Sequence, residues 1–228
     1  MRKLVQKIIS PFLKKTSTLY LSRPRKYKYK DLCVWVEPSV FPPFITISTK
    51  LLLEFLETLS LEKKTFLELG CGCGIISILA AKKGAKTTAS DINMIALEAL
   101  RKNAKDNETQ IEILYSDLFD GLQHKSFDCI VINPPYYPKN PDSVAEKAWF
   151  CGEHFEYFEK LFAQLPDFTT QKNEVYMILS EDCKTDVIFA IAEKNGLAAK
   201  CILEKTVFKE INYIYKISKT RNFTNPTL

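Results

Sequence analysis

From Lys64 onward, short apolar runs rich in β-branched residues alternate with longer stretches whose apolar positions recur at helical spacing. TFLEL, KTTAS, IEIL, FDCIVI and EVYMIL fit strands. IISILAAKKG, NMIALEALRKNAKDN, EYFEKLFAQL and DVIFAIAEKNG fit helices, two of them closed by Gly84 and Gly196, and the second with Ile95, Leu97, Ala99 and Leu100 as its apolar face. Two further strands fall near CILEKTVF and NYIYKI. Upstream, LCVWV alternates like a strand and runs into a turn where Pro38, Pro42 and Pro43 forbid regular structure. A helix then begins near Ser48, a good N-cap, with Leu51, Leu52, Phe55, Leu56 and Leu59 on one face. Strand and helix in this rhythm predict an α/β fold: a mostly parallel sheet covered by helices on both faces. Ligands of such sheets bind beyond the carboxyl ends of the strands.

At 228 residues and 46% hydrophobic content, the chain suits one domain with a sizeable core and a short extension. Seven cysteines, an odd number with two in a glycine-rich loop, do not form a disulfide framework and point to a reducing compartment. Lys7 and Pro11 interrupt the apolar start that a signal peptide needs, and no apolar run reaches membrane-spanning length. The expected location is cytoplasmic, with no membrane partner.

The net charge of +5 conceals an asymmetry. Residues 1–30 carry ten Lys or Arg and no acid, leaving 22 basic against 27 acidic residues in the rest. The expected division is therefore a basic arm over 1–30 and a domain over 31–228. The arm ends in RPRKYKYK, where cations can neutralise phosphates while Tyr27 and Tyr29 stack on bases. A solvated leader, or an amphipathic helix through Leu4, Ile8 and Phe12 docked on its own domain, explains the same residues.

FLELGCGCG follows the first strand of the alternating region and opens a helix. Gly70, Gly72 and Gly74 allow a sharp turn and close approach to a ligand. Asp91 ends the next strand, where an acid can hold the ribose hydroxyls of a nucleotide-like ligand. The spacing lacks the last glycine of the dinucleotide fingerprint, and no Walker lysine follows. Cys71 and Cys73 are expected as small loop fillers, since C-x-C without a nearby histidine is not a zinc spacing, and no metal is expected.

Glu68-Leu-Gly70-Cys-Gly72-Cys-Gly74, Asp91, Asp117 in YSDLFD and Asn133-Pro-Pro-Tyr136 occur in the order and spacing of a known family. Over residues 45–217 the chain resembles the class I S-adenosylmethionine-dependent methyltransferases, in the N-P-P-Y subgroup that includes methyltransferase small domains and release-factor glutamine methyltransferases. The resemblance implies a Rossmann-like, seven-stranded, mostly parallel sheet. It also implies S-adenosylmethionine as cofactor and S-adenosylhomocysteine as product. Beside it, Glu68 suits the α-amino end of the cofactor, Asp91 the ribose hydroxyls, Ile92 the adenine face and Asp117 the adenine amino group, with Thr49 a further cofactor candidate. Helix capping explains Asp91 and Asp117 without a ligand.

The subgroup resemblance makes INPPYYP a clamp for a planar amino or amide group. A planar NH2 is a poor nucleophile because its lone pair is delocalised. Two acceptors, the Asn133 side-chain oxygen and the Pro134 carbonyl, can hold both hydrogens while the nitrogen faces the methyl donor. Asn133, Pro134 and Tyr136 are the candidate catalytic residues, and Pro135, Tyr136, Tyr137 and Gly152 the candidate acceptor site. The expected activity is N-methylation of an exocyclic amino group in RNA, tRNA or rRNA, with the basic arm as the RNA contact. The alternatives are a protein glutamine amide as acceptor, and a non-catalytic RNA- or partner-binding module on the same fold.

Overall fold

The computed structural model describes residues 22–207 and 210–220. The helix expected through Leu4, Ile8 and Phe12 lies outside the described residues. The chain enters as a hairpin of β1 (Arg25–Tyr29) and β2 (Leu32–Val36), paired antiparallel, and continues into α1 (Ser48–Thr58). There follow β3 (Thr65–Leu69), α2 (Ile75–Lys82), β4 (Lys86–Asp91), α3 (Met94–Asp106), β5 (Ile111–Tyr115), β6 (Cys129–Ile132), α4 (Glu156–Phe168), β7 (Glu174–Ser180), α5 (Thr185–Lys194), β8 (Leu197–Val207) and β9 (Glu210–Lys219). The sheet has seven strands in the order β5-β4-β3-β6-β7-β9-β8. The first five pair in parallel, and β9 runs antiparallel between β7 and β8. The expected Rossmann-like, mostly parallel sheet is therefore present.

Period-2 alternation divides the core. On β3, Phe66 belongs to a cluster built with Leu52, Leu56, Ile78 and Leu97 from α1, α2 and α3. Its neighbours Leu67 and Leu69 face the opposite cluster, with Phe158, Phe162 and Ile188 from α4 and α5. Strand β6 is buried along its whole length, which explains why CIVI is a continuous apolar run. Each fully buried Leu or Phe contributes about 1.5–3 kcal/mol relative to exposure.

The hairpin changes the expected domain boundary. Tyr29 pairs with Leu32 across residue 30, so residues 25–30 belong to the folded body. Two asparagines one turn apart, Asn103 on α3 and Asn107 at its C-cap, hold it there. Asn103 Oδ1 accepts from the Trp35 amide at 2.8 Å, and its Nδ2 donates to the Trp35 carbonyl at 2.8 Å. Asn107 repeats the arrangement on Cys33, at 3.1 and 2.8 Å. A strand whose backbone groups are satisfied by side chains is pinned without joining the main sheet. Tyr27 and Tyr29 alternate inward and pack against the core, while Lys26 and Lys28 point outward. Tyr27 and Tyr29, expected to stack on bases from a free arm, sit instead on a paired strand, half-buried against the core.

Two details of the helices also differ. Ile95, expected on the apolar face of α3, is 47% exposed in the first turn of the helix, beside the similarly exposed Met94. Ser48 begins α1 but caps nothing; the N-cap residue is Ile47.

Candidate active site

The sheet reverses direction of growth between β3 and β6, and that switch point positions the site. Leu69 and Ile132 are register partners, so Gly70 and Asn133 emerge side by side at the carboxyl edge. Ser90 of β4 pairs with Leu69 on the other side, bringing Asp91 alongside. Three separate motifs are therefore neighbours through sheet register alone.

Backbone bonds clip the glycine loop to β4. The amides of Gly70 and Cys71 both donate to the Ser90 carbonyl at 2.9 Å. Asp91 Oδ2 accepts from the Gly72 amide and Oδ1 from the Asn93 amide, each at 2.8 Å. Asp91 thus shapes the loop that it shares a cavity with, while Asn93, not Asp91, caps α3 by accepting from the Ile95 amide at 3.0 Å. Gly74 has φ +76°, and a Cβ there would collide with Leu100 of α3, so glycine is demanded by both backbone and packing. Cys71 and Cys73 are buried in the core at 4% exposure, as loop filler.

Glu68 lies 6% exposed on the α2 side of β3. Its Oε2 accepts from the Ser77 amide at 2.8 Å and from the Ser77 hydroxyl. Burial pushes its carboxyl up to about 8, the Ser77 bonds oppose this, and the Asp91 charge adds to it. The folded chain therefore holds this proton more tightly than the unfolded chain. Its contribution to stability is complete below about pH 4.5 and declines as pH rises through about 8. Relative to Glu68→Gln, the native protein should lose up to about 1.4 kcal/mol per pH unit between pH 6 and 8. Urea unfolding of both proteins across that range checks it; parallel curves would refute the shift. A cation brought beside Glu68 lowers its pKa again.

These groups open onto one cavity of about 440 Å³, within the usual range of about 300–1,000 Å³ for small-molecule sites. Thr49, Glu68, Gly70, Gly72, Asp91, Ile92, Asp117, Asn133, Pro134, Pro135, Tyr136, Tyr137 and Gly152 all line it. Gly74 stands behind it, shaping the turn. Asp117 is held at 2.7 Å by Lys160 of α4, which also pairs with Asp120 at 2.7 Å. The adjacent Leu118 has φ +54°, a left-handed conformation that costs a non-glycine residue about 1–3 kcal/mol. Burial raises the Tyr136 hydroxyl pKa, and that hydroxyl is tied to Ser180 and Tyr137. The Tyr136 and Tyr137 rings lie 4.7 Å apart.

The segment after the clamp folds back over the opening. The Tyr137 amide donates to the Trp149 carbonyl at 3.1 Å, and the Cys151 amide returns to the Tyr137 carbonyl at 3.0 Å. Trp149 packs on Phe41 at 4.9 Å, joining this segment to the one that follows the hairpin. Gly152 has φ +90°, and a Cβ would collide with the Glu156 carboxylate. Phe41, Trp149, Tyr157 and Lys160 line the cavity without having been singled out in the sequence, and Pro43, read there only as a turn residue, lines it too. The proline-flanked Phe41 carried a signal, since VFPPF breaks a strand with an aromatic to spare; nothing in the sequence marks Lys160.

Residues 31–149 match the family model for the methyltransferase small domain. The chain belongs to that family. The methyltransferase small domain here is 42% identical over 125 residues to a Methanocaldococcus jannaschii protein named "Putative protein N5-glutamine methyltransferase", covering 52% of this chain and 63% of that protein. It is 29% identical over 170 residues to ribosomal RNA small subunit methyltransferase C of Haemophilus influenzae, covering 69% and 51%. The chain thus spans less than two thirds of the length of either relative. Among solved structures, the fold is shared with the E. cuniculi Mtq2–Trm112 complex, responsible for methylation of the eRF1 translation termination factor (TM-score 0.61, 23% identity, 80% and 99% covered). It is shared too with the T. thermophilus 16S rRNA N2 methyltransferase RsmC in complex with AdoMet and guanosine (TM-score 0.63, 18% identity, 87% and 50% covered). No described helix is long and apolar enough to cross a membrane.

Proposed function

We propose that this methyltransferase small domain uses S-adenosylmethionine to methylate a planar exocyclic amino group, that of a base in RNA. The observation that carries the reading is the single cavity onto which Gly70, Asp91 and Asn133 all open. The residues present fit the cofactor: buried or half-buried carboxylates at Glu68 and Asp91, a close-approach glycine turn, and apolar Ile92 and Leu118 between them. When bound, S-adenosylmethionine supplies an electrophilic methyl group on its sulfonium, and S-adenosylhomocysteine is the product.

Asp91 accepts from the ribose hydroxyls on lone pairs left over from the Gly72 and Asn93 amides. Asp117, steadied by Lys160, accepts from the adenine amino group. Thr49 and Glu68 stand at the polar end of the cofactor. The Asn133 oxygen and the Pro134 carbonyl accept the two acceptor hydrogens and aim the nitrogen lone pair. Tyr136 and Tyr137 flank its flat face, Pro135 stiffens the clamp, and Gly152 leaves room. Phe41 and Trp149 exclude water.

Support for RNA comes from a second cavity, of about 90 Å³, that shares Ser39, Val40 and Trp149 with the main one. Arg23 and Arg25 line it, against one carboxylate, Glu37. Guanidinium groups beside an acceptor site favour a phosphodiester backbone. Replacing both arginines with glutamine should lessen the salt slope of RNA binding by about 1 to 1.5 in log–log units. Fluorescence anisotropy with a labelled single-stranded RNA from 50 to 300 mM salt measures it, and an unchanged slope would remove these residues from the RNA contact. The basic residues before Ser22 extend the same contact in this reading.

A protein glutamine amide is the second reading, favoured by the 42% identity to the M. jannaschii protein. Both reactions belong in the cytoplasm, where the free cysteines of the described chain stay reduced. Transfer of labelled methyl from S-adenosylmethionine into bulk RNA and into total protein, both from cells lacking this protein, separates the two. Label in RNA supports the first reading, and label confined to protein replaces it with the second.

A further inference from the structure

Ser48 is 6% exposed at the first position of α1, one residue past the N-cap Ile47, and its side chain makes no cap bond. Its hydroxyl lies instead 3.4 Å from Asn133 Nδ2, which donates to it, and 3.1 Å from Thr46 Oγ1. Asn133 lines the cavity and so does Thr49, but Ser48 does not. Ser48 therefore bonds Asn133 from outside the cavity lining.

The two ends of an asparagine amide are chemically opposite. The NH2 only donates and the oxygen only accepts. With NH2 turned toward the cavity, Asn133 would oppose an amino acceptor donor to donor. With oxygen turned toward it, Asn133 accepts one of the acceptor hydrogens. The structure has the second orientation: Nδ2 is the atom that donates to the Ser48 hydroxyl, which lies within bonding distance of Thr46, and the Asn133 oxygen is left for the cavity.

We propose that Ser48, supported by Thr46, is a positioning residue that fixes the Asn133 amide with its oxygen facing the acceptor. The inference rests on the reading of Asn133 as part of the acceptor clamp. It extends that reading to selectivity, since a fixed acceptor oxygen prefers an amino group over a carbonyl or ether oxygen at the same place.

The test uses the full chain with Ser48→Ala, Ser48→Thr, Asn133→Ala and the double variant Ser48→Ala/Asn133→Ala. Activity is labelled-methyl transfer into whichever of two probes accepts it, bulk RNA or total protein from cells lacking this protein. Ser48→Ala should lower kcat about tenfold with S-adenosylmethionine affinity unchanged, and Ser48→Thr should recover to within about threefold. In the Asn133→Ala background, Ser48→Ala should have no further effect. An activity-independent readout is the Asn133 side-chain amide signal in a nitrogen-15 spectrum, identified by its loss in Asn133→Ala. It should move in Ser48→Ala and return in Ser48→Thr. An amide signal indifferent to Ser48→Ala, or a Ser48→Ala loss that adds in full to that of Asn133→Ala, overturns the proposal. Loss of transfer in Asn133→Ala with none in Ser48→Ala overturns this inference alone. Unchanged transfer in Asn133→Ala overturns the clamp itself.

Discussion

Asn133→Ala lowers methyl transfer by about 10²–10³-fold, the cost of removing one preorganised hydrogen-bonding group from a reacting centre. Affinity for S-adenosylmethionine stays within about threefold, because in the proposed clamp Asn133 holds the acceptor. The fold survives. Asn133 contributes one 3.4 Å bond to Ser48, whose hydroxyl keeps Thr46 as a partner. Parallel measurements of turnover, calorimetric affinity and thermal midpoint check the three statements together. Turnover comparable to wild type on a verified acceptor would remove Asn133 from the mechanism.

Asp91→Ala has the second large effect, on binding. Two charge-assisted bonds to ribose hydroxyls, at about 1.5–3 kcal/mol each, predict a loss of at least about a hundredfold in affinity for S-adenosylmethionine and S-adenosylhomocysteine alike. The same substitution orphans the Gly72 and Asn93 amides, so a stability loss of about 1–3 kcal/mol accompanies it. Asp91→Asn separates the two, since its side-chain oxygen still serves one of those amides while the negative charge is gone. Titration calorimetry on both variants, with unfolding curves, is the measurement. Full affinity in a destabilised Asp91→Ala would confine Asp91 to shaping the loop.

The alternating part of the sequence was legible because both periods were clean. TFLEL and KTTAS became β3 and β4 as read, and the glycines between TFLEL and its helix marked the one turn that must approach a ligand. The order of motifs along the chain also carried over into space, because parallel register aligns the carboxyl ends of β3, β4 and β6. The entry segment was less legible. RKYKY looks like a charged arm, and its period-2 alternation is short; it becomes a strand by pairing with β2, which Asn103 and Asn107 tie to the body. Nor could spacing reveal that Ser48 serves Asn133, since the two are 85 residues apart and meet only through the sheet. Lys160 is hidden for the same reason. It reaches Asp117 from α4 at the cavity wall, and a lysine on a helix has no local feature that announces such a role.

The central claim is methyl transfer to an exocyclic amino nitrogen, and the product itself tests it most directly. The protein is incubated with methyl-labelled S-adenosylmethionine and RNA from cells lacking it, and the digested nucleosides are resolved by mass spectrometry against methylated standards. Label in an N6-methyladenosine or N2-methylguanosine fraction, absent with Asn133→Ala, is the predicted result. Label on a ring carbon, a ribose hydroxyl or a ring nitrogen would contradict it, since none of these presents the NH2 that the proposed Asn133–Pro134 clamp requires.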